Sequence, residues 1–273
     1  LLQRQSREVI GRKSTNYMKL LIDADFIVYK SCAAAETEID WGDDVIMVTS
    51  KFSDAMRATQ REIEKLKTVF MWDVPEVILF FSDSVNFRKK ILPSYKGHRN
   101  RKKPCGYKRV INKLKEHNDV IIMPTLEADD AMGIYATKNP GATICSPDKD
   151  MRQIPGNLYD MDKFTLISPT DGAKWHLVQS LAGDQTDGYA GLSGVGVKRA
   201  TTLFESKGYC WKAVVAAFEE KGFTEEDALL NARLARILTV DDYDFTNKKP
   251  IPWTPRADYR IDSGAGSQVK TSV

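Results

Sequence analysis

Carboxylates are the chemically capable residues that stand out, because they recur at matching places. Leu20-Leu21-Ile22 runs directly into Asp23, Ile78-Leu79-Phe80-Phe81-Ser82 into Asp83, and Thr143-Ile144-Cys145-Ser146-Pro147 into Asp148, with Asp150 two residues on. Each apolar run reads as a buried strand, so three strands deliver an acid at their C-terminal ends. In open α/β sheets ligands bind in the crevice beyond those ends. A fourth run, Val120 to Met123, leads to Leu126-Glu127-Ala128-Asp129-Asp130 at a helix start. Glu127 and Asp130, three apart, are expected to share a face there. Two further acids, Asp184 and Asp187, precede a glycine-rich turn.

Singly, such an Asp can be a turn residue or a helix cap. So many on one edge would repel one another unless cations neutralised them. Four scattered cysteines with no CxxC pair and only three histidines argue against zinc and for reduced thiols. Mg²⁺ or Mn²⁺ suits an all-oxygen ligand set, and two ions ~3.5–4 Å apart can clamp the attacking and leaving oxygens of a phosphoryl displacement.

A second signal is charge. The chain has a net charge of only +3, yet residues 88 to 115 hold 12 Lys/Arg and no Asp/Glu, leaving 28 basic against 37 acidic residues elsewhere. Within it, Ser94-Tyr95-Lys96-Gly97-His98-Arg99-Asn100-Arg101-Lys102-Lys103-Pro104 mixes an aromatic with dense positive charge. A charge run is usually a solvated face. Beside a carboxylate cluster it suits a polyanion that brings its own metal ions. Gly191-Leu192-Ser193-Gly194-Val195-Gly196 then opens a helix with Lys198 and Arg199, offering N–H groups and charge to a phosphate.

The elements that must position these residues alternate. Short apolar runs at 19–22, 77–81, 120–123 and 142–145 read as strands, and 159–167 as one or more strands at a sheet edge. Amphipathic stretches at about 50–68, 108–116, 128–137, 174–181, 197–206, 211–220 and 225–238 read as helices. The expected fold is α/β, a mainly parallel central sheet flanked by helices, with a helical C-terminal part. The expected domains are an α/β core over 18–172, with the basic segment as a clamp within it at about 84–115, and a helical part carrying the glycine hairpin over 173–255. A disordered leader (1–17) and tail (256–273) would flank them. At 273 residues and 42% hydrophobic content a full core can form. No run approaches the ~20 apolar residues of a membrane span. A soluble cytoplasmic protein is expected. Trp175, Trp211 and Trp253 are assigned to the core, and His117 and His176 to helix surfaces or packing, while His98 could touch phosphate.

FSDSVNFRKKILPSYKGHR, LEADDAMG, SPDKDMRQIP and LAGDQTDGYAGLSGVGVKRA occur in an order that resembles the flap endonuclease or 5′-nuclease superfamily, and within it the exonucleases of podovirus-type phages. The resemblance spans residues 18 to 255. It implies a host-cell cytoplasmic enzyme acting on duplex DNA with a free 5′ end, nick or flap, or on RNA primers in hybrids. The reaction would be 5′→3′ exonucleolytic or flap hydrolysis to 5′-phosphate products. By position, the resemblance assigns Asp23, Asp83, Glu127, Asp129 and Asp130 to a first metal centre and Asp148, Asp150, Asp184 and Asp187 to a second. Lys96 and Arg99 match arch cations aimed at the scissile phosphate, with Tyr95, Arg101, Lys102 and Lys103 as further DNA contacts. Gly191, Gly194, Gly196, Lys198 and Arg199 match a helix-three-turn-helix that grips duplex backbone and can bind K⁺ through carbonyls. Gly97, Pro104 and Gly106 speak against a continuous arch helix here and for a partly flexible clamp. Two other readings compete: a PIN-like ribonuclease, and a catalytically silent DNA-binding clamp, which predicts a broken carboxylate set.

Overall fold

The structure is a computed structural model that describes residues 18–70, 76–99, 102–256 and 259–261. The expected leader, most of the expected tail and Arg101 lie outside the described residues. Strand β1 (Lys19–Asp23) passes without a loop into helix α1 (Ala24–Ala34), because Asp23 caps the helix by accepting from the Phe26 N–H. A hairpin of β2 (Glu36–Asp40) and β3 (Ile46–Ser50) follows, then α2 (Phe52–Val69) and β4 (Glu76–Phe80). After β4 come only the four-residue α3 (Arg88–Ile91) and a series of turns before α4 (Tyr107–His117) and β5 (Asp119–Ile121). Gly106, at φ +79°, turns the chain into α4. Between α3 and α4 the described residues of the basic segment form turns and no helix.

Next are α5 (Ala128–Lys138), β6 (Thr143–Cys145), β7 (Gly156–Tyr159) and β8 (Phe164–Ile167). Helices α6 (Pro169–Ala182), α7 (Val197–Lys207), α8 (Trp211–Glu219) and α9 (Glu225–Ala235) complete the helical part, with a short ribbon of β9 (Tyr243–Asp244) and β10 (Lys249–Pro250). Helix α6 starts five residues before the predicted start at Lys174, where Ser168 caps it and Pro169 occupies the first turn. Neither α1 nor the β2–β3 hairpin was expected from the sequence. On one face of the hairpin Ile39, Trp41, Val45 and Met47 are all exposed.

The central sheet has six strands in the order β5-β4-β1-β6-β7-β8, parallel except for β8. Its strands alternate sides. Leu20, Ile22 and Leu79 pack under α1, α2 and α4, while Leu21, Ile78 and Phe80 pack against α5. The chain leaves β1 toward β4 and later returns to its other flank as β6, so β1 is the switch point. A crevice opens beyond its C-terminal end. A third core lies among α6 to α9, where Trp211 and Trp253 are buried as expected and Trp175 packs at its margin. His176 is fully buried and its Nε2 meets the Ala232 carbonyl. All four cysteines are free thiols, and no described helix is long and apolar enough to cross a membrane.

Candidate active site

The acids past the strand ends converge because short hydrogen-bonded turns hold them there. Asp23 Oδ1 accepts from the Phe26 N–H at 3.1 Å and its Oδ2 from Ser146 Oγ at 3.0 Å, which ties the end of β1 to the end of β6. Asp83 Oδ2 accepts from the Thr125 N–H at 2.7 Å, fixing the turn after β4 to the loop ahead of α5. Asp148 Oδ1 accepts from the Asp150 N–H at 2.9 Å and starts a 3-10 turn. Asp184 Oδ1 accepts from the Thr186 N–H at 2.8 Å in the turn that follows α6.

Together these residues line a two-lobed cleft. Asp23, Asp83, Glu127, Asp129 and Asp148 border a lobe of about 800 Å³. Asp23, Asp148, Asp150, Asp184 and Asp187 border another of about 410 Å³. Asp23 and Asp148 belong to both, as do Phe26 and Arg99.

Crowding is visible in the proton affinities. Burial, with the charges of Asp25 and Asp148, pushes the Asp23 carboxyl up to about 6 despite two donors. Burial and Asp148 raise Asp150 to about 7. Asp129 is raised well above the usual carboxylate range by burial and by Asp148, Asp23 and Glu127. Glu127 goes the other way: burial opposes its charge, but Lys96 and Arg88 outweigh it and hold the group down at about 2. Asp184 is also lowered, its burial offset by Lys149 and Thr186.

Cations meet these acids directly. Lys96 Nζ bonds Glu127 and lies 3.4 Å from Asp187 Oδ2. Arg99 spans the Thr186 carbonyl at 2.9 Å and Asp187 Oδ1 at 2.6 Å. Lys149 Nζ is 2.8 Å from Asp184 Oδ2. The Lys96 N–H donates to the Asp187 carbonyl at 2.8 Å, so the turn carrying these cations is pinned to the second acidic group.

The donor set is all oxygen, its charge exceeds what the local cations neutralise, and Asp129 accepts no hydrogen bond from any described side chain or N–H. That chemistry fits hard divalent ions. Among the described residues, no three acid, His or Cys side chains yet stand close enough to ligate one ion. Glu127, Asp187 and Asp184 are instead engaged by Lys96, Arg99 and Lys149.

Two of the assigned residues, Asp130 and Tyr95, sit in buried surroundings. Asp130 is fully buried and accepts from Arg88 Nη1 at 2.6 Å and Nη2 at 2.8 Å, with the Leu238 N–H at 3.2 Å. It serves as the counter-ion of a buried arginine, with both of its oxygens engaged. Glu127 and Asp130 do lie on one side, since both accept from Arg88 Nη1, but Asp130 is turned inward onto that guanidinium and reaches back to the Glu127 N–H in a capping box. Tyr95 is also buried, so it offers no face to a base. Its hydroxyl lies 2.8 Å from Asp187 Oδ2 and 3.1 Å from Glu127 Oε2, linking the two acidic groups.

The other predicted positions are more scattered. Lys102 and Lys103 are exposed, and the Lys103 ammonium lies over the Tyr107 and Tyr29 rings. Gly191, at φ +59°, crosses Gly183 so closely that an added Cβ would lie 2.3 Å from the Gly183 nitrogen. Gly194, Gly196 and Lys198 are exposed at the start of α7, and Arg199 Nη1 bonds back to the Gly194 carbonyl at 2.6 Å. This hairpin borders a hollow of about 560 Å³, apart from the carboxylate cleft.

Several participants escaped sequence reading. Arg88 sat inside a run of surface-like cations. Lys149 lies between Asp148 and Asp150 in sequence, a visible signal. Gln179 Nε2, which donates to Asp150 Oδ1, and Asp25, which accepts from Tyr107 OH at 2.6 Å, had none.

Residues 18–173 match the profile of the 5′-3′ exonuclease, N-terminal resolvase-like domain. The chain belongs to the 5′-3′ exonuclease family. It is 30% identical to the exodeoxyribonuclease of Enterobacteria phage T3, across 87% of this chain and 93% of that protein. It is also 30% identical to the exonuclease of Escherichia phage T7, across 86% and 93% of the two chains. Among solved structures, the T5 5′-exonuclease with bound zinc superposes with a TM-score of 0.56 at 16% identity, covering 80% of this chain and 88% of that one. The catalytic core of Rad2 in complex with DNA gives 0.51 at 14%, covering 76% and 65%. At such identities the likeness to these two structures shows a common fold.

Proposed function

We propose that the chain is a divalent-metal-dependent 5′→3′ exonuclease and structure-specific flap endonuclease that hydrolyses DNA to 5′-phosphate products. The observation that carries this reading is the pair of carboxylate groups flanking one cleft and sharing Asp23 and Asp148. Asp23, Asp83, Glu127 and Asp129 would hold or orient one ion, and Asp148, Asp150, Asp184 and Asp187 the other. Bound Mg²⁺ or Mn²⁺ ions would supply an acidified water and neutralise charge on the attacking and leaving oxygens.

The protein side chains do the rest. Lys96 and Arg99 exchange Glu127 and Asp187 for the non-bridging oxygens of the scissile phosphate and stabilise the charge that builds there. Tyr95 keeps Glu127 and Asp187 in register through its hydroxyl. The glycine hairpin, with Lys198 and the N–H groups that open α7, grips duplex backbone, and its carbonyls take K⁺. The substrates are duplex DNA with a free 5′ end, a nick or a flap, and RNA primers in hybrids.

Digestion of 5′-labelled duplex, nicked and flapped DNA, with an RNA control, tests this with and without Mg²⁺ or Mn²⁺. Asp148→Asn and Asp184→Asn should remove cleavage while DNA binding survives. Full activity in both variants would refute the assignment, and cleavage of RNA alone would favour the ribonuclease reading.

A further inference from the structure

A chain of buried amides links the second acidic group to the end of α9. Gln153 closes the 3-10 turn Lys149–Gln153 that carries Asp150, Gln179 stands in the last turn of α6, and both side chains are buried. Gln153 Nε2 donates to the Ala235 carbonyl at 2.6 Å and to Gln179 Oε1 at 2.7 Å, while Gln153 Oε1 accepts from the Ile237 N–H at 3.0 Å. Gln179 Nε2 then donates to Asp150 Oδ1. Gly172, seven residues before Gln179 and so on the same side of α6, brings the helix close enough for these contacts. An added Cβ there would lie 2.3 Å from the Gln153 carbonyl oxygen.

Backbone groups set the direction of this chain. The oxygen of a side-chain amide only accepts and its nitrogen only donates. The Ala235 carbonyl and the Ile237 N–H therefore fix which end of Gln153 faces which way. With Gln153 fixed, Gln179 must turn its oxygen to Gln153 and its nitrogen to Asp150. A buried glutamine that satisfies backbone is ordinary core chemistry. Gln153 alone would serve that purpose, because the Ala235 carbonyl is one of the last four of α9, which have no partner within the helix. What Gln179 adds is a donor on a carboxylate that borders the narrower lobe.

We propose that Gln179 is a positioning residue for the second metal centre: with Gln153 it forms a relay that holds Asp150 Oδ1 from the end of α9 and leaves Oδ2 for the ion. Partners of this kind fix the orientation of a ligand, and losing one typically costs ~10–100-fold in metal affinity. The end of α9 is a firm place from which to hold the acid. Arg88 donates to the Leu234 carbonyl at 3.0 Å and bonds the Arg236 carbonyl. One turn earlier, Asn231 Oδ1 accepts from the Gly191 N–H at 3.1 Å. One helix thus anchors the glycine hairpin, the buried arginine beside Glu127 and, through the two amides, Asp150. The relay rests on the nuclease reading above and names what orients one of its metal ligands.

Mn²⁺ binding, followed by isothermal titration and electron paramagnetic resonance with no DNA present, tests the relay apart from turnover. Asp150→Asn identifies the ion that Asp150 holds by weakening it, and Gln179→Leu should weaken that same ion about ten-fold. Gln153→Leu should weaken it too, and the double variant should be no worse than Gln179→Leu, whereas independent packing effects would multiply. In an Asp150→Asn background Gln179→Leu should change nothing further. The relay is overturned if Asp150→Asn or Gln179→Leu binds Mn²⁺ like the parent chain, if the losses multiply in the double variant, or if Gln179→Leu keeps its full effect without Asp150. Should thermal melts show the leucine variants unfolded, the side-chain amide resonances of the parent chain decide. Those of Gln179 and Gln153 should shift together on Mg²⁺ addition, and a Gln153 signal that ignores Mg²⁺ would overturn the relay. A parent chain that binds no Mn²⁺ would refute the metal-dependent nuclease reading itself, and the relay with it.

Discussion

Asparagine at each of two adjacent aspartates, Asp129 and Asp130, should move stability in opposite directions. Asp130→Asn leaves Arg88 buried, at 1% exposure, with Glu127 as its remaining carboxylate partner beside the Leu234 and Arg236 carbonyls. Removing one member of a buried ion pair costs about 3–5 kcal/mol, and the lower end applies because Asn keeps one acceptor and Glu127 remains. For a chain of this size each kcal/mol moves Tm by about 2–4 °C, so a fall of roughly 6–12 °C is expected. Asp129→Asn instead removes a charge that burial, Asp148, Asp23 and Glu127 all oppose. Relief of on the order of 1 kcal/mol, discounted for the open cleft, should raise Tm in EDTA by about 2–4 °C. Added Mg²⁺ should then stabilise the parent chain and Asp130→Asn but do less for Asp129→Asn. Circular dichroism melts in EDTA and in Mg²⁺ at mildly alkaline pH give all these values. If Asp130→Asn melts like the parent chain and loses its Mg²⁺ response, Asp130 is a metal ligand and the reasoning fails.

Two further predictions concern pH and the glycine hairpin. Asp23 and Asp150 have folded-state values raised to about 6 and about 7, above the unfolded carboxylate value of 3.8. The folded state therefore holds protons that the unfolded state has already released. Their contribution is present in acid and is lost as pH rises through about 6–7, so the protein in EDTA should melt higher near pH 5 than near pH 8. Excess Mg²⁺ should reverse that order, and a Tm that climbs with pH in EDTA would contradict the crowding argument. Gly191→Ala places a Cβ at φ +59° within 2.3 Å of the Ala182 and Gly183 backbone. It should cost at least about 1–3 kcal/mol in thermal melts and weaken duplex binding more than single-strand binding in anisotropy titrations. An unchanged melt would show that the hairpin can move aside.

The amino-acid sequence by itself determined which strands end in acids. Asp23, Asp83 and Asp148 follow buried runs whose length and apolarity are local properties, and a parallel sheet places its C-terminal ends on one edge. Most helices were legible for the same local reason, since their apolar spacing appears within each segment. Helix α1 was not, because α1 is short, apolar on several sides and fused to β1. The β2–β3 hairpin was not legible because it forms a separate two-stranded ribbon whose apolar residues Ile39, Ile46, Met47 and Val48 are exposed, so no buried face marks it. Only tertiary structure decided between Asp129 and Asp130. Neighbouring residues on a helix point about 100° apart, and which one faces the cleft depends on how α5 docks on the sheet and on Arg88 arriving from α3. Tyr95 and Lys149 follow the same rule. Their residue types suit DNA contact, yet Tyr95 is buried between Glu127 and Asp187 and Lys149 is bound to Asp184 because distant segments meet there. Residue type and spacing set the chemistry that is possible, while packing between distant elements selects which side chains reach the cleft.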